Sequence, residues 1–69
     1  MKPLIKEIRL SKGLMQKFCA EQANISQQLW SAYEKGDKYP RIDKAYTIAK
    51  VLSVGIEKLY EVDEDEHND

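Results

Sequence analysis

Apolar residues recur at intervals of three and four along nearly the whole sequence, which is the spacing of one face of an α-helix. No segment of four or more residues shows the strict alternation of apolar and polar residues that is typical of a half-buried strand. With 69 residues, the chain has room for one small domain. The sequence therefore predicts a single all-α domain.

Residues that cap or interrupt helices divide this pattern into five predicted helices. Pro3 suits the first turn of the first helix, and Gly13 suits a left-handed cap at its end. Asn24 can adopt a positive φ at low cost, which predicts a tight turn before the third helix. Ser26 is a good N-cap for the third helix, and Gly36 ends it. The other four helices are predicted from Pro3 to Gly13 and at about residues 16–23, 43–53 and 56–61.

Charge is distributed unevenly along the chain, although the net charge is only −1. Residues 1–60 hold all 11 lysines and arginines but only six acids, whereas residues 61–69 hold the other six acids. A body with a charge of +5 suits a polyanionic partner. We therefore expect a folded domain over residues 1–61 and an acidic, disordered tail over residues 62–69, which is too polar to bury a core.

Residues able to carry out chemistry are few. The single cysteine, Cys19, excludes an internal disulfide and a multi-cysteine zinc site. It is expected to be a small core residue, with redox sensing as the alternative. The only histidine, His67, is remote from it, so no nucleophile–base pair can be assembled. No glycine-rich phosphate-binding loop is present. We therefore expect no enzymatic activity, no metal and no cofactor.

The sequence also predicts a cytoplasmic protein. No apolar run approaches the roughly 18 to 20 residues of a membrane span. The charged N-terminus lacks the apolar stretch of a signal peptide.

The predicted third helix carries the sharpest functional feature. At 100° per residue, an arc of roughly 140° holds Gln27, Gln28, Ser31, Ala32 and Lys35. Glutamine can donate and accept hydrogen bonds in one plane, as the N6 and N7 edge of adenine requires, and the major groove admits one α-helix. Two adjacent glutamines at the start of a helix therefore suggest base reading. The alternative is that both glutamines are merely solvated surface residues.

Many further residues match a known pattern in register between Ile5 and Tyr60. They are Lys12-Gly13-Leu14, Gln16, Ala20-Glu21, Ile25-Ser26, Glu34-x-Gly36, Pro40, Ile48-Ala49-Lys50 and Leu52. Through them the chain resembles the helix-turn-helix regulators of the Cro and phage-repressor (Xre) type. The resemblance implies a compact five-helix bundle of the lambda-repressor type. It also implies binding to double-stranded operator DNA as a homodimer, with the third helix in the major groove.

The same resemblance implies roles for individual residues. The base-reading positions of the family fall on Gln27, Gln28, Ser31 and Ala32. Arg9 and Glu34 match a salt bridge that joins the first and third helices, although two independent surface charges remain the alternative. Glu34 is then structural, because it sets the angle of the third helix and does not touch DNA.

Basic and polar residues around the third helix are predicted to contact DNA phosphates. The predicted set is Gln16, Lys17, Ser26, Lys35, Lys38, Tyr39 and Arg41. Gln16 is included because it matches a phosphate contact of the family. Phosphate contacts provide affinity and salt dependence but no choice of sequence. For each lysine the alternative is plain solubility, and for Tyr39 it is covering of the loop.

Some residues depart from the family pattern. Met15, Arg41 and Gly55 replace the usual caps of the second, fourth and fifth helices. Loss of such a cap costs roughly 1 kcal/mol, or a few tenths for glycine, which predicts a marginally stable domain. In the second helix, Cys19 and Ala23 are smaller than the leucines common in the family. In the third, Trp30 and Tyr33 are larger than the usual branched aliphatic residues, so the total side-chain volume between the two helices is expected to be conserved.

Two apolar groups are candidate surfaces for protein contacts. Leu10 and Phe18 occupy positions that the family usually makes polar. Ile56, Leu59 and Tyr60 lie near the C-terminal end, where family members often dimerise.

The sequence therefore favours a sequence-specific DNA-binding transcriptional regulator, a repressor that binds a near-palindromic operator as a dimer. The rival interpretation is a protein-interaction module, an antitoxin or anti-regulator, that uses the same fold to bind a protein. The acidic tail is expected to be solubilising, with competition against DNA phosphates as the alternative.

Overall fold

The computed structural model describes residues 1–62, and four α-helices account for most of them. The elements in chain order are β1 (Lys2–Pro3), α1 (Ile5–Ser11), α2 (Gln16–Gln22), α3 (Gln27–Lys35), α4 (Ile42–Leu52), a 3₁₀ turn (Ile56–Lys58) and β2 (Tyr60–Glu61). The sequence predicted an all-α five-helix bundle, and the structure confirms the coarser part of that prediction, a mainly helical domain with a helix-turn-helix. Apart from residue 62, the predicted acidic tail lies outside the described residues.

The two ends of the folded chain differ from the all-helical prediction. Pro3 was expected in the first turn of a helix, but it lies in β1 and pairs with Tyr60 of the antiparallel strand β2. The predicted fifth helix is only the 3₁₀ turn Ile56–Lys58, so residues 1–62 contain four α-helices rather than five. Strands of two residues are too short to show an alternating pattern, and proline is compatible with an edge strand.

The core lies between the helices and is closed by the segment that follows the 3₁₀ turn. Its buried apolar residues are Ile5, Cys19, Ala20, Ala23, Trp30, Tyr33, Ala45, Ile48, Ala49, Leu52 and Leu59. α2 packs mainly against α3, where small residues on α2 meet a helix that carries a fully buried tryptophan. The predicted burial of Cys19 and of the apolar face of α4 is confirmed.

Local geometry explains where α3 begins and ends. Asn24 has a φ of 60° in the turn before it, as predicted. Ser26 is extended, and its Oγ accepts a hydrogen bond from the backbone N–H of Leu29 at 3.0 Å. At the other end Gly36 has a φ of 81°, and the N–H of Asp37 donates to the carbonyl of Ala32 at 3.0 Å. This closing pattern needs a left-handed residue, which glycine supplies without a Cβ clash.

Candidate nucleic-acid interface

The outward face of α3 carries the residues that the sequence predicted to read bases. Gln27 and Gln28 are exposed at the first two positions of the helix, and Ser31 and Ala32 are half-buried one turn later. On the opposite side Trp30 is fully buried in the core. α3 therefore presents a small, polar face to solvent while its other face is fixed by packing.

A buried ion pair attaches α3 to α1. Nε of Arg9 donates to Oε2 of Glu34 at 2.6 Å, and both residues are only 8% exposed. A second guanidinium nitrogen of Arg9 donates to the carbonyl of Leu14 at 2.9 Å, which ties the pair to the α1–α2 loop. Buried charges are tolerated when their hydrogen-bonding groups are satisfied, and these are.

Trp30 is a further partner of the Glu34 carboxylate. Its indole Nε1 donates to Oε2 of Glu34 at 2.6 Å, across one turn of α3. Burial by itself raises the pKa of Glu34, but the hydrogen bonds from Arg9, Gln16 and Trp30 and the charge of Arg9 bring it below its ordinary value. Glu34 is therefore held as a carboxylate inside the domain.

Gln16 connects this buried pair to the exposed face of α3. Its Nε2 donates to Oε1 of Glu34 at 2.9 Å. Its Oε1 accepts a hydrogen bond from Nε2 of Gln27 at 3.3 Å. Gln16 is half-buried and was predicted to contact a DNA phosphate. It also contacts Gln27, one of the two exposed glutamines of α3.

The other predicted phosphate contacts flank α3 at both ends. Lys17 is exposed on α2, and Lys35, Lys38 and Arg41 are exposed in the last turn of α3 and the connection to α4. Within the described residues none of these four side chains makes a hydrogen bond or ion pair. Four cations therefore surround the polar face of α3 and are available to bind an anion.

Besides Gln16, two residues of the predicted phosphate-contacting set have contacts within the domain. The Oγ of Ser26 accepts the N-cap hydrogen bond from the N–H of Leu29, which leaves its O–H able to donate. The ring of Tyr39 packs against that of Tyr60, with 5.6 Å between the ring centroids, while Tyr39 remains 52% exposed. Tyr39 therefore covers part of the loop and still reaches solvent.

Comparison with known proteins identifies the class of this fold. The sequence model of the helix-turn-helix family matches residues 5–59, which is most of the chain. The chain belongs to the helix-turn-helix family. The resemblance inferred from residues between Ile5 and Tyr60 is thereby confirmed.

Three curated relatives of this helix-turn-helix protein are similar over nearly their whole length. The uncharacterized HTH-type transcriptional regulator YgzD of Bacillus subtilis is 32% identical over 65 residues, which cover 94% of this chain and 98% of that protein. An uncharacterized HTH-type transcriptional regulator of Methanothermobacter thermautotrophicus is 38% identical over 66 residues, which cover 94% of this chain and 96% of that protein. An uncharacterized HTH-type transcriptional regulator of Archaeoglobus fulgidus is 32% identical over 66 residues, which cover 96% of this chain and 94% of that protein.

The surfaces predicted for protein contacts have different outcomes in this helix-turn-helix domain. Leu10 and Phe18 are 57% and 46% exposed, so both are available. In the C-terminal patch only Leu59 is excluded, because it is fully buried and its carbonyl accepts a hydrogen bond from the N–H of Leu4 at 2.8 Å, whereas Ile56 and Tyr60 are half-buried. The chain turns into β2 there instead of continuing as a helix, which directs Leu59 into the core.

Sequence reasoning missed two contacts, one within α3 and one that joins α4 to the end of α2. A buried indole N–H needs an acceptor, and Glu34 lies four residues after Trp30, so this spacing could have indicated their hydrogen bond. Nζ of Lys44 donates to the carbonyl of Ala23 at 3.1 Å and so closes the end of α2. A cation near a helix C-terminus is favourable, but no local pattern links residues this far apart in sequence.

Within residues 1–62 no helix is both long and apolar enough to cross a membrane. The same residues contain no cluster of histidine, cysteine and acidic side chains suited to a metal ion. Cys19 is buried, and burial raises the pKa of its thiol.

Proposed function

We propose that this protein is a transcriptional repressor that binds a near-palindromic DNA operator as a dimer, with α3 in the major groove. Membership of the helix-turn-helix family and the names of its relatives support DNA binding and transcription regulation. The observation that carries the proposal is the outward face of α3, where Gln27 and Gln28 are exposed at the helix start. A recognition helix contacts base edges with its N-terminal residues, so the exposure of these two side chains there supports the proposal.

The chemistry of this face suits reading of bases. Each glutamine amide offers a donor and an acceptor in one plane, which matches adenine. Ser31 can bond to any base edge, and the Ala32 methyl group suits an apolar contact with the thymine methyl group. The buried Arg9–Glu34 pair keeps α3 at a fixed angle to α1, which preserves the register of these contacts.

The cations around α3 support phosphate binding on both sides of a groove. Lys17 lies on α2, whereas Lys35, Lys38 and Arg41 lie beyond the other end of the recognition face. Neutralising several phosphates releases counterions, so affinity should fall steeply as salt rises. Gln16, Ser26 and Tyr39 are uncharged, and in this proposal they add hydrogen bonds to the same backbone.

The dimer and the repressor role follow from the resemblance to phage repressors. Two copies would place their α3 helices in successive major grooves, with half-sites about one helical turn apart. The bound dimer would then block polymerase by occupying the operator.

Selection from a random duplex pool, followed by affinity measurements at two salt concentrations, tests the proposal. We expect a palindromic motif that binds at least about 10³-fold more tightly than a scrambled duplex. Gln27→Ala and Gln28→Ala should relax one base position in each half-site. Gln22→Ala is the matched control, because Gln22 is an exposed glutamine on α2 that borders α4 residues instead of the α3 face. Absence of a motif, with binding lost at modest salt, would contradict the proposal.

The exposure of Leu10 and Phe18 favours a second candidate function, a protein-interaction module that acts as an antitoxin or anti-regulator. A stable complex with the product of a neighbouring gene, lost in Phe18→Ser but not in Gln28→Ala, would support it. A selected DNA motif whose binding is unchanged by Phe18→Ser would favour the repressor instead.

A further inference from the structure

We propose that the buried Glu34 carboxylate fixes the orientation of the Gln27 amide, that is, the sides on which its oxygen and nitrogen lie. This orientation makes Gln27 select adenine over guanine. In this role Glu34 is a positioning residue that acts through Gln16. The inference rests on the proposed function, because it assigns the specificity of the same α3 face.

The first step is that one oxygen of Glu34 accepts hydrogen bonds from two groups that can only donate. Oε2 accepts hydrogen bonds from Nε of Arg9 and from the indole Nε1 of Trp30, both at 2.6 Å. Guanidinium and indole nitrogens can only donate. The Glu34 side chain is 3% exposed, so water does not compete for this oxygen. Trp30, which departs from the aliphatic residue usual in the family, thus adds a second fixed donor.

The second step orients Gln16. A carboxylate can only accept hydrogen bonds, so Gln16 must direct its amide nitrogen to Oε1 of Glu34, as observed at 2.9 Å. The amide oxygen of Gln16 is then left on the side of Gln27. That oxygen can only accept, so Gln27 must offer its own nitrogen, as observed at 3.3 Å.

The third step concerns what Gln27 presents to DNA. One N–H of its amide is used by Gln16, which leaves the other N–H and the amide oxygen beside each other. Adenine offers N7 as acceptor and N6 as donor, which matches this pair. Guanine offers two acceptors, N7 and O6, and the second would face the Gln27 oxygen. The order of hydrogen bonds from Glu34 outward therefore favours adenine at this position.

Gln28 supplies the internal comparison. It has the same chemistry and neighbours Gln27, but within residues 1–62 its side chain makes no hydrogen bond. The Gln28 amide can rotate and exchange the positions of its oxygen and nitrogen, so changes at Glu34 should leave the base preference of Gln28 unchanged.

Glu34→Gln tests the proposal by reversing the order of donors and acceptors. The position of Oε2 must remain an oxygen because Arg9 and Trp30 both donate to it at 2.6 Å. The new amide nitrogen therefore takes the place of Oε1, where Arg9 donates only through Nη2 at the longer distance of 3.4 Å. The amide of Gln16 then rotates by half a turn, so that its oxygen faces residue 34 and its nitrogen faces Gln27. Gln27 must therefore accept this hydrogen bond through its own amide oxygen. The amide oxygen of Gln27 keeps a second lone pair, so Gln27 presents its oxygen and its N–H to the base in the reverse order. Against adenine both positions then oppose like groups, whereas against guanine the N–H meets O6 and only N7 is opposed.

The experiment measures the affinity for adenine and for guanine at every position of the DNA motif selected by the wild-type chain. Gln27→Ala and Gln28→Ala identify the base that each glutamine reads. At the Gln27 position, the wild type should prefer adenine by about 5- to 150-fold. In Glu34→Gln this ratio should fall to one or invert, while the ratio at the Gln28 position stays unchanged. A purely structural role for Glu34 would lower affinity for all sequences alike.

Gln16→Leu provides a second route if Glu34→Gln does not fold, as judged by circular dichroism. It leaves the contacts between Arg9, Trp30 and Glu34 in place, but it removes the link to Gln27 and the proposed phosphate contact of Gln16. We expect it to fold, to bind all sequences more weakly by the same factor, and to lose base preference at the Gln27 position alone. The inference is overturned if the folded variants keep the wild-type ratio, or if the wild type does not select adenine there. A wild-type chain that selects no motif overturns the proposed function as well.

Discussion

Replacement of Glu34 by alanine is expected to destabilise the domain by about 3–5 kcal/mol. The variant leaves Arg9, which is 8% exposed, as a buried charge without its carboxylate. It also removes the acceptor of the Trp30 indole N–H, and an unsatisfied buried donor costs about 1–3 kcal/mol, which forms part of that total. Domains have about 0.05–0.15 kcal/mol of stability per residue, so a domain of this size has about 3–9 kcal/mol to lose. We therefore expect Glu34→Ala to lose at least about a third of the free energy of unfolding, and to be largely unfolded if the wild type lies at the lower end of this range.

Urea denaturation followed by far-ultraviolet circular dichroism measures this effect. Glu21→Ala is the matched control, because Glu21 is an exposed acid on α2 and its replacement should change the free energy of unfolding by less than about 0.5 kcal/mol. If Glu34→Ala unfolds at the same urea concentration as Glu21→Ala, the buried ion pair does not hold α3 in place, and this reasoning is refuted.

Four further changes have defined outcomes. Met15 precedes α2 in an extended conformation with no side-chain cap, so Met15→Ser should raise the free energy of unfolding by about 1 kcal/mol and the melting temperature by about 4–8 °C; an unchanged melting temperature contradicts this. Within residues 1–62 the Tyr60 hydroxyl is buried without a hydrogen-bond partner, and burial raises its pKa to about 12, so Tyr60→Phe should stabilise the domain by about 1 kcal/mol in urea titrations; a loss of stability would show that the hydroxyl has a partner. Since the pKa of Glu34 is lowered from 4.5, its contribution is present above pH 4.5 and is lost as pH falls through the lowered pKa; the urea midpoint should fall there, and less so in Glu34→Gln. Lys38→Ala should weaken binding to all DNA sequences alike and reduce the slope of log affinity against log salt by about 0.9; a change confined to one base position would contradict a phosphate contact.

The recognition helix could be predicted from sequence because its limits depend on local chemistry. Ser26 supplies a side-chain oxygen to the first turn, and Gly36 supplies the left-handed residue after the last. Asn24 allows the tight turn before it. Each of these preferences belongs to a single residue and needs no tertiary contact, so α3 was predicted with nearly its observed bounds.

The strand pairing could not be predicted, because it depends on contacts between the two ends of the domain. Pro3 pairs with Tyr60, and neither residue belongs to a segment long enough to show a strand pattern. The same pairing ends the 3₁₀ turn early and directs Leu59 into the core, which removes it from the predicted dimer surface.

The contacts that link α1, α2 and α3 beneath the exposed face of α3 could be predicted only in part. The Arg9–Glu34 pair could be proposed from the family resemblance, and Gln16 and Gln27 were both named as DNA contacts. The hydrogen bond between them depends on how closely α2 approaches α3, which is set by packing of Cys19 and Ala20 and has no signature in the sequence.

The claim that α3 reads bases is tested most directly by combining a protein change with a base change. Affinities of the wild type, Gln28→Ala and Gln22→Ala would be measured for the selected duplex and for duplexes altered at each position in turn. We expect one position where alteration costs the wild type and Gln22→Ala about 1–3 kcal/mol but costs Gln28→Ala almost nothing. If alteration costs Gln28→Ala as much as the wild type at every position, Gln28 does not read a base and the account is wrong.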